Sequence, residues 1–138
     1  MWIVAKIKIK NLNTFKKSLT EKMGKDIQFY CPKIKYQKYF NGKVKKIETF
    51  ILGNYIFCHH IKFKKDSTIS EIKYLKGLIY FLNGSNQNQG SLIKFIEYCK
   101  SFENEEGYLT QSFFKTIITK KAQFISGPFT NMIFEILE

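Results

Sequence analysis

The sequence predicts an α+β fold in which a mainly antiparallel sheet is flanked by three helices. Apolar and polar residues alternate in several short runs, a pattern typical of strands. In three other stretches apolar residues recur every three or four positions, which is typical of amphipathic helices. An Asn-Gly pair, Asn41-Gly42, also stands between two β-prone runs, where it predicts a two-residue hairpin turn.

The N-terminal part predicts a strand followed by a helix. In residues 2–10 the isoleucines fall on one face and the lysines on the other, so we expect one buried and one solvent-exposed face. Asn11 and Asn13 are candidate caps for a helix that ends at Gly24. The predicted elements after it are a strand at 27–31, the hairpin, a strand at 51–59, a helix ending at Gly77, a strand at 78–82 and a helix at 91–102.

The composition changes at the acidic cluster of residues 103–107. We interpret residues 1–102 as one domain and residues 103–114 as a linker. Beyond the linker the pattern favours β structure, beginning with a strand at 116–119 and including a Ser-Gly-Pro-Phe turn at 126–129. Residues 115–138 are too short to close a barrel of their own.

The charge of the chain indicates a polyanionic partner. The 138 residues include 23 basic and 11 acidic side chains, which gives a formal net charge of +12. Every basic residue is a lysine, so phosphate contacts would be contacts to point charges, without bidentate guanidinium recognition.

The three cysteines indicate free thiols in a reducing compartment. Cys31, Cys58 and Cys99 are odd in number, widely spaced and surrounded by apolar residues. No apolar run approaches the roughly 20 residues that span a bilayer, and the N-terminus lacks the layout of a signal peptide. We therefore expect a cytoplasmic protein with no membrane partner.

Four segments, in order, resemble the NusG family of transcription elongation factors. They are the tryptophan-bearing first strand at 2–6, the aromatic-x-Pro end of the next strand at 29–32, the Leu-Gly-Asn-Tyr-Ile-Phe run at 52–57 and the Lys-Gly-Leu-Ile-Tyr-Phe-Leu run at 76–82. The resemblance implies that residues 1–102 form the family's N-terminal (NGN) domain. Residues 124–129 resemble the opening of a KOW domain, so residues 115–138 would be an incomplete KOW-like segment.

The resemblance implies a partner and a docking surface. NGN domains bind the clamp helices of the largest RNA polymerase subunit through an exposed apolar depression. Carried over by position, Leu52, Tyr55, Phe57 and Phe81 would line that depression. The implied protein is a non-enzymatic, cofactor-free factor that promotes elongation and antitermination. A complete KOW domain would recruit the ribosome or a termination factor.

The resemblance also implies contacts with upstream DNA or the displaced non-template strand. Gly53 stands where the family usually has proline, and with the lysine-rich surface it favours a specialised paralogue acting on particular operons. Ser67 and Thr68 lie near the loop that reaches the opposite clamp jaw in relatives. The implied nucleic-acid contacts are Lys8, Lys10, Lys16, Lys17 and Lys76.

Alternative interpretations stand beside these. The aromatic residues of strand 51–59 also suit a hydrophobic core, and the lysines suit a solvated surface. A stand-alone RNA- or DNA-binding module using its sheet would keep aromatic residues exposed among lysines. An enzyme built around Cys58 and His60, which share one face of a strand, is the third hypothesis; the pair lacks an orienting partner in the sequence.

Overall fold

The computed structural model describes the backbone of residues 1–120 and the side chains of residues 1–115. Two short 3-10 turns, Ile9–Asn11 and Ile61–Lys64, accompany the helices and strands of this part. In chain order the elements are β1 (Trp2–Ile7), α1 (Leu12–Met23), β2 (Gln28–Tyr30), β3 (Lys33–Phe40), β4 (Lys43–Phe50), β5 (Tyr55–His59), α2 (Asp66–Ile72), β6 (Leu78–Phe81), α3 (Gln89–Ser101) and α4 (Gln111–Lys120).

The main sheet has four antiparallel strands in the order β2-β5-β1-β6. Strand β1 lies in the interior of the sheet, where Lys6 stands opposite Tyr55 on β5 and opposite Tyr80 on β6. The predicted α+β class and mainly antiparallel sheet are confirmed, with four helices in the described residues where the sequence predicted three.

Helices pack on both faces of the main sheet, so the prediction that one whole face of β1 is solvent-exposed is wrong: on that face Val4 is buried and Lys6 is half-buried. Ile3, Ala5 and Ile7 pack with α1 and α2, whereas Val4 packs with α3 on the opposite face. The alternating lysines at 6, 8 and 10 predicted a longer strand than the one observed. Strand β1 ends at Ile7, so Lys8 and Lys10 belong to the following turn. The buried core residues on the α1 side include Phe15, Leu19, Ile56, Cys58 and Phe63, and those on the α3 side include Leu52, Phe57, Leu92, Phe95 and Phe113.

Strands β3 and β4 form a separate two-stranded hairpin with eight residue pairs. Its turn is the predicted Asn-Gly pair, with φ angles of 50° at Asn41 and 73° at Gly42. Two successive positive φ angles match the turn whose twist fits a hairpin. The hairpin is anchored where it leaves the main sheet, since the Ile51 amide donates to the Pro32 carbonyl at 3.0 Å.

The segment after α3 packs on the domain and then forms a helix. In residues 103–109 the Asn104 side chain accepts hydrogen bonds from the amides of Glu106 and Tyr108, both at 3.0 Å, so the acidic cluster forms a tight turn. Leu109 and Phe113 then join the core on the α3 side. The segment predicted as a linker is therefore part of the folded body.

The strand predicted at 116–119 is wrong, because these residues belong to α4. The β-branched residues at 116–119 favour strands only weakly, and tertiary contacts routinely override a preference of that size. Phe113 supplies such contacts, because its ring lies 5.6 Å from that of Tyr98 and 6.3 Å from that of Phe102. The predicted β structure and turn in residues 121–138 lie outside the described residues.

Candidate docking and nucleic-acid surfaces

Leu52 and Phe57, expected to line an exposed depression, are core residues. Leu52 is 3% exposed and Phe57 is 1% exposed. The Phe57 ring lies 6.0 Å from that of Phe95 on α3 and 6.5 Å from that of Trp2. Helix α3 covers this part of β5, so neither side chain is available to a partner in this structure.

Phe81 lies on the opposite face of the sheet from Tyr55 and Phe57. It stands opposite Ala5 in the register and packs with the α1-side core, whereas Tyr55 packs against the α3-side core. Because successive residues of a strand point to opposite faces, these side chains cannot line one hollow. The structure therefore does not bring the four predicted polymerase-binding residues together on one accessible surface.

Tyr55 instead joins Lys6 and Tyr80 in a small surface that we call the tyrosine–lysine patch. The Lys6 Nζ atom lies 5.6 Å from the centre of the Tyr55 ring and 5.7 Å from that of Tyr80. Tyr55 is half-buried and Tyr80 is exposed. These positions are neighbours across three strands, and an ammonium held at this distance from two rings is attracted to both.

The tyrosine–lysine patch is cationic, with hydrogen-bonding hydroxyl groups. Burial raises the pKa of Tyr55, and the neighbouring Tyr80 hydroxyl raises that pKa further, while the Lys6 ammonium lowers it. The Tyr55 hydroxyl is therefore protonated at neutral pH and can donate a hydrogen bond. Such a surface suits a partner that offers apolar side chains together with carboxylates.

Three of the five predicted nucleic-acid lysines lie together beside the tyrosine–lysine patch. The Lys8 amide donates to the Gly77 carbonyl at 2.8 Å, which brings Lys8 and Lys10 to the same corner as Lys76. All three are exposed and none has a carboxylate partner among the side chains of residues 1–115. We call this group the corner lysines.

Gly77 makes the approach at this corner possible. Its φ angle is +89°, and a Cβ atom added there would lie 3.0 Å from Asn11 Cβ and 3.3 Å from Phe15 Cβ. Only glycine adopts such a conformation without strain at so close a contact. The position of Lys76 therefore depends on its neighbour.

Lys16 and Lys17 lie further along α1 and do not join the corner lysines. Lys16 is half-buried, with its Nζ atom 5.7 Å from the centre of the Phe29 ring on β2. Lys17, the next residue of the helix, is exposed. The five lysines are thus divided between the corner and the body of α1.

Cys58 and His60 have the environment of core residues. Burial raises the pKa of the Cys58 thiol well above its usual range, which is the opposite of nucleophile activation. The His60 Nδ1 atom accepts a hydrogen bond from the Lys62 amide at 3.0 Å and so caps the second 3-10 turn. The described residues contain no group of three or more side chains placed to hold a metal ion.

The β3–β4 hairpin is predicted by the sequence, but no binding role is predicted for it. The signal was its composition, since residues 33–50 contain six lysines, one glutamate and several aromatic residues. The Asn41-Gly42 pair by itself predicts only the turn. Whether the hairpin can bind a partner depends on its exposure to solvent. The alternation of residue types does not predict that both of its faces are exposed.

A scan against models of known protein families finds none that fits this chain, and a search of curated proteins finds no similar sequence. Within the described residues, no helix is both long and apolar enough to cross a membrane.

Proposed function

We propose that this chain is a transcription elongation and antitermination factor that docks on the clamp helices of RNA polymerase and promotes processive elongation. The observation that carries the proposal is the partial exposure of Tyr55 beside Lys6 and the exposed Tyr80 at the end of the main sheet. Tyr55 belongs to the most specific segment of the NusG resemblance. The mainly antiparallel sheet, and the order in which strand β1 is followed by helix α1, are the features that the resemblance to an NGN domain implies.

The tyrosine–lysine patch takes the place of the four-residue depression as the proposed docking surface. Tyrosines are enriched at the centres of protein interfaces, because they bury a large apolar ring and still satisfy a hydroxyl group. A helical clamp would place apolar side chains on the rings of Tyr55 and Tyr80 and a carboxylate near Lys6. Leu52 and Phe57 would support Tyr55 from the core.

The corner lysines would hold upstream DNA or the non-template strand beside the docked factor. They lie next to the tyrosine–lysine patch, so a partner bound there would bring its nucleic acid within reach of Lys8, Lys10 and Lys76. Contacts of this kind depend on salt and are mostly independent of sequence. Bridging the clamp in this way would keep it closed on the nucleic acid and suppress pausing.

The proposed factor is a specialised paralogue that acts on particular operons. Gly53 has a φ angle of 61°, which proline cannot adopt, so the loop before Tyr55 differs from a proline-containing one. Recruitment of the ribosome or a termination factor would need a complete KOW domain. The start of the proposed KOW-like segment, residues 115–120, is helical here.

A stand-alone RNA- or DNA-binding module is the second candidate. It is favoured by the corner lysines, whose charges are not neutralised by carboxylates of the described residues. Such a module would bind nucleic acid equally well whether or not polymerase is present.

A single-round transcription assay with purified core polymerase separates the two candidates. The proposed function predicts that the chain raises the fraction of transcripts that reach full length. A matched reaction with Tyr55→Ala should show a smaller increase. Unchanged transcripts with the wild-type chain at saturating concentration would contradict the proposed function, and binding of free nucleic acid in that case would favour the second candidate.

A further inference from the structure

The outer half of the β3–β4 hairpin, residues 36–47, is an exposed basic ribbon that the proposed docking does not use. It pairs with no strand of the main sheet. Tyr36 is 44% exposed, Phe40 is 56% exposed and Tyr39 is 77% exposed. Aromatic rings are seldom left in water on this scale without a partner.

Among the described residues, the carboxylates that contact the hairpin lie at its base. Glu48 lies 3.6 Å from Lys33, and Glu106 lies 3.8 Å from Lys35. The Tyr108 hydroxyl donates to Glu48 at 2.6 Å. These contacts neutralise the base and fix it to the body, whereas residues 36–47 carry lysines and no carboxylate.

Aromatic rings and lysines alternate on one face of the outer hairpin. Tyr36, Lys38 and Phe40 share a face of β3, since residues two apart in a strand point the same way. The register places Ile47, Lys45 and Lys43 opposite them on β4. The Lys45 Nζ atom lies 5.3 Å from the centre of the Phe40 ring. We call this surface the Tyr36–Phe40 face.

The spacing suits a strand of nucleotides. Four residues of β structure separate Tyr36 from Phe40 by about 13 Å, so each ring offers its own stacking platform. Lys38 lies between the rings, and Lys43 and Lys45 flank Phe40. Nonspecific binders of single strands combine such stacking platforms with a cationic path for the phosphates.

We propose that the Tyr36–Phe40 face binds single-stranded nucleic acid, with bases stacked on Tyr36 and Phe40 and phosphates held by Lys38, Lys43 and Lys45. Single strands fit better than duplex because the faces of paired bases are already stacked on their neighbours. The absence of arginine from the chain agrees with recognition of backbone and base faces rather than of base edges. The site needs no polymerase, so it goes beyond the proposed function.

Fluorescence anisotropy with labelled 12-mers tests this site without polymerase. The probes are a mixed-sequence single-stranded RNA, the matching single-stranded DNA and the matching duplex DNA. The decisive variant is Tyr36→Ala/Phe40→Ala, and Tyr39→Ala is its control, because Tyr39 is more exposed but lies on the other face. Circular dichroism and thermal unfolding verify that each variant is folded.

We expect the double variant to weaken binding of a single strand about tenfold or more, since stacking contributes roughly 1–3 kcal/mol per base. Tyr39→Ala and binding of the duplex should change less than twofold. Tyr36→Trp/Phe40→Trp should retain binding, because it preserves both stacking platforms. Comparing the affinities for the single-stranded RNA and the single-stranded DNA shows whether the site prefers ribose or deoxyribose.

A salt titration tests the lysines of the same face. For Lys38→Gln/Lys45→Gln, the slope of log affinity against log salt should fall in magnitude by about 1.4, or about 0.7 for each lost phosphate contact on a single strand. The aromatic variant should keep the wild-type slope. A loss below twofold for single strands in the aromatic variant, or an equal loss for duplex, would overturn the proposal.

Discussion

At the scale of single residues, Gln89 shows how a side chain completes the sheet. The Trp2 amide donates to Gln89 Oε1 at 2.9 Å, and Gln89 Nε2 donates to the Trp2 carbonyl at 2.5 Å. Strand β6 pairs with β1 only at residues 5–7, so it does not reach Trp2. The Gln89 amide therefore replaces a missing strand residue beside the first strand.

Gln89→Ala should lower the free energy of unfolding by about 1–3 kcal/mol, because it leaves two partly buried backbone groups of Trp2 without partners. Urea unfolding of both variants measures the effect. The control is Gln87→Ala, which alters an exposed glutamine two residues away. Equal stability of the two variants would show that the paired hydrogen bonds of Gln89 add nothing.

The thiols give a second prediction at this scale. Burial raises the pKa of Cys31 to about 11, although Lys16 and Lys33 oppose the shift. Roughly one Cys31 thiol in a thousand is then ionised at pH 8. Burial also raises the pKa values of Cys58 and Cys99 far above their usual range.

We expect all three thiols of the folded chain to react slowly with a disulfide reagent at pH 8, with Cys31 the fastest. All three should react at once in denaturant. Colour release followed by mass mapping measures the order. Rapid labelling of Cys58 in the native chain would contradict its burial and would revive the hypothesis of an enzyme built on Cys58 and His60.

At the scale of elements, the approach of the β6 turn to α1 depends on Gly77. Its positive φ angle and its contact with Asn11 permit only a hydrogen atom at this position. Gly24 has a similar φ angle, +91°, but a Cβ atom there would meet nothing within 4 Å. Comparing substitutions at the two glycines therefore distinguishes the cost of a strained φ angle from the cost of a steric clash.

Gly77→Ala should destabilise the fold more than Gly24→Ala does. Each substitution strains a positive φ angle, which costs about 1–3 kcal/mol, and only Gly77→Ala adds a clash with Asn11 and Phe15. Thermal unfolding of the two variants provides the comparison. Equal losses of stability would mean that the chain around residue 77 shifts away from Asn11 and Phe15 with no further loss in the free energy of unfolding.

The sequence predictions were correct where the structure depends on residues that are adjacent in the chain. The Asn-Gly hairpin needs two adjacent residues with positive φ, and the sequence states this directly. The prediction of a depression lined by four residues is wrong, because it depends on which face of the sheet each residue occupies and on the position of α3. Neither can be derived from short sequence segments. Phe81 carries no local sign that it points away from Tyr55.

The C-terminal part shows the same limit. Residues 116–119 are β-prone in isolation, yet they continue a helix that Phe113 holds against Tyr98 and Phe102. The acidic cluster resembled a solvated linker, but Asn104 folds it into a turn. In both cases contacts between distant segments outweighed the local preference.

At the scale of the whole molecule, one end of the main sheet gathers the candidate surfaces. The antiparallel register places the end of β1, the start of β5 and the end of β2 together. The tyrosine–lysine patch and the corner lysines lie at this end, and the hairpin leaves the sheet here. A partner docked on Tyr55 would thus have the corner lysines close to its nucleic acid.

The affinity for core RNA polymerase tests the docking surface most directly. Tyr55→Ala is compared with Tyr74→Ala, which removes a well-exposed tyrosine from the turn after α2. We expect Tyr74→Ala to retain the wild-type Kd in biolayer interferometry. Tyr55→Ala should weaken binding about 10- to 30-fold, as expected for a central interface tyrosine. Equal binding by both variants, or no binding by the wild-type chain, would contradict docking through the tyrosine–lysine patch.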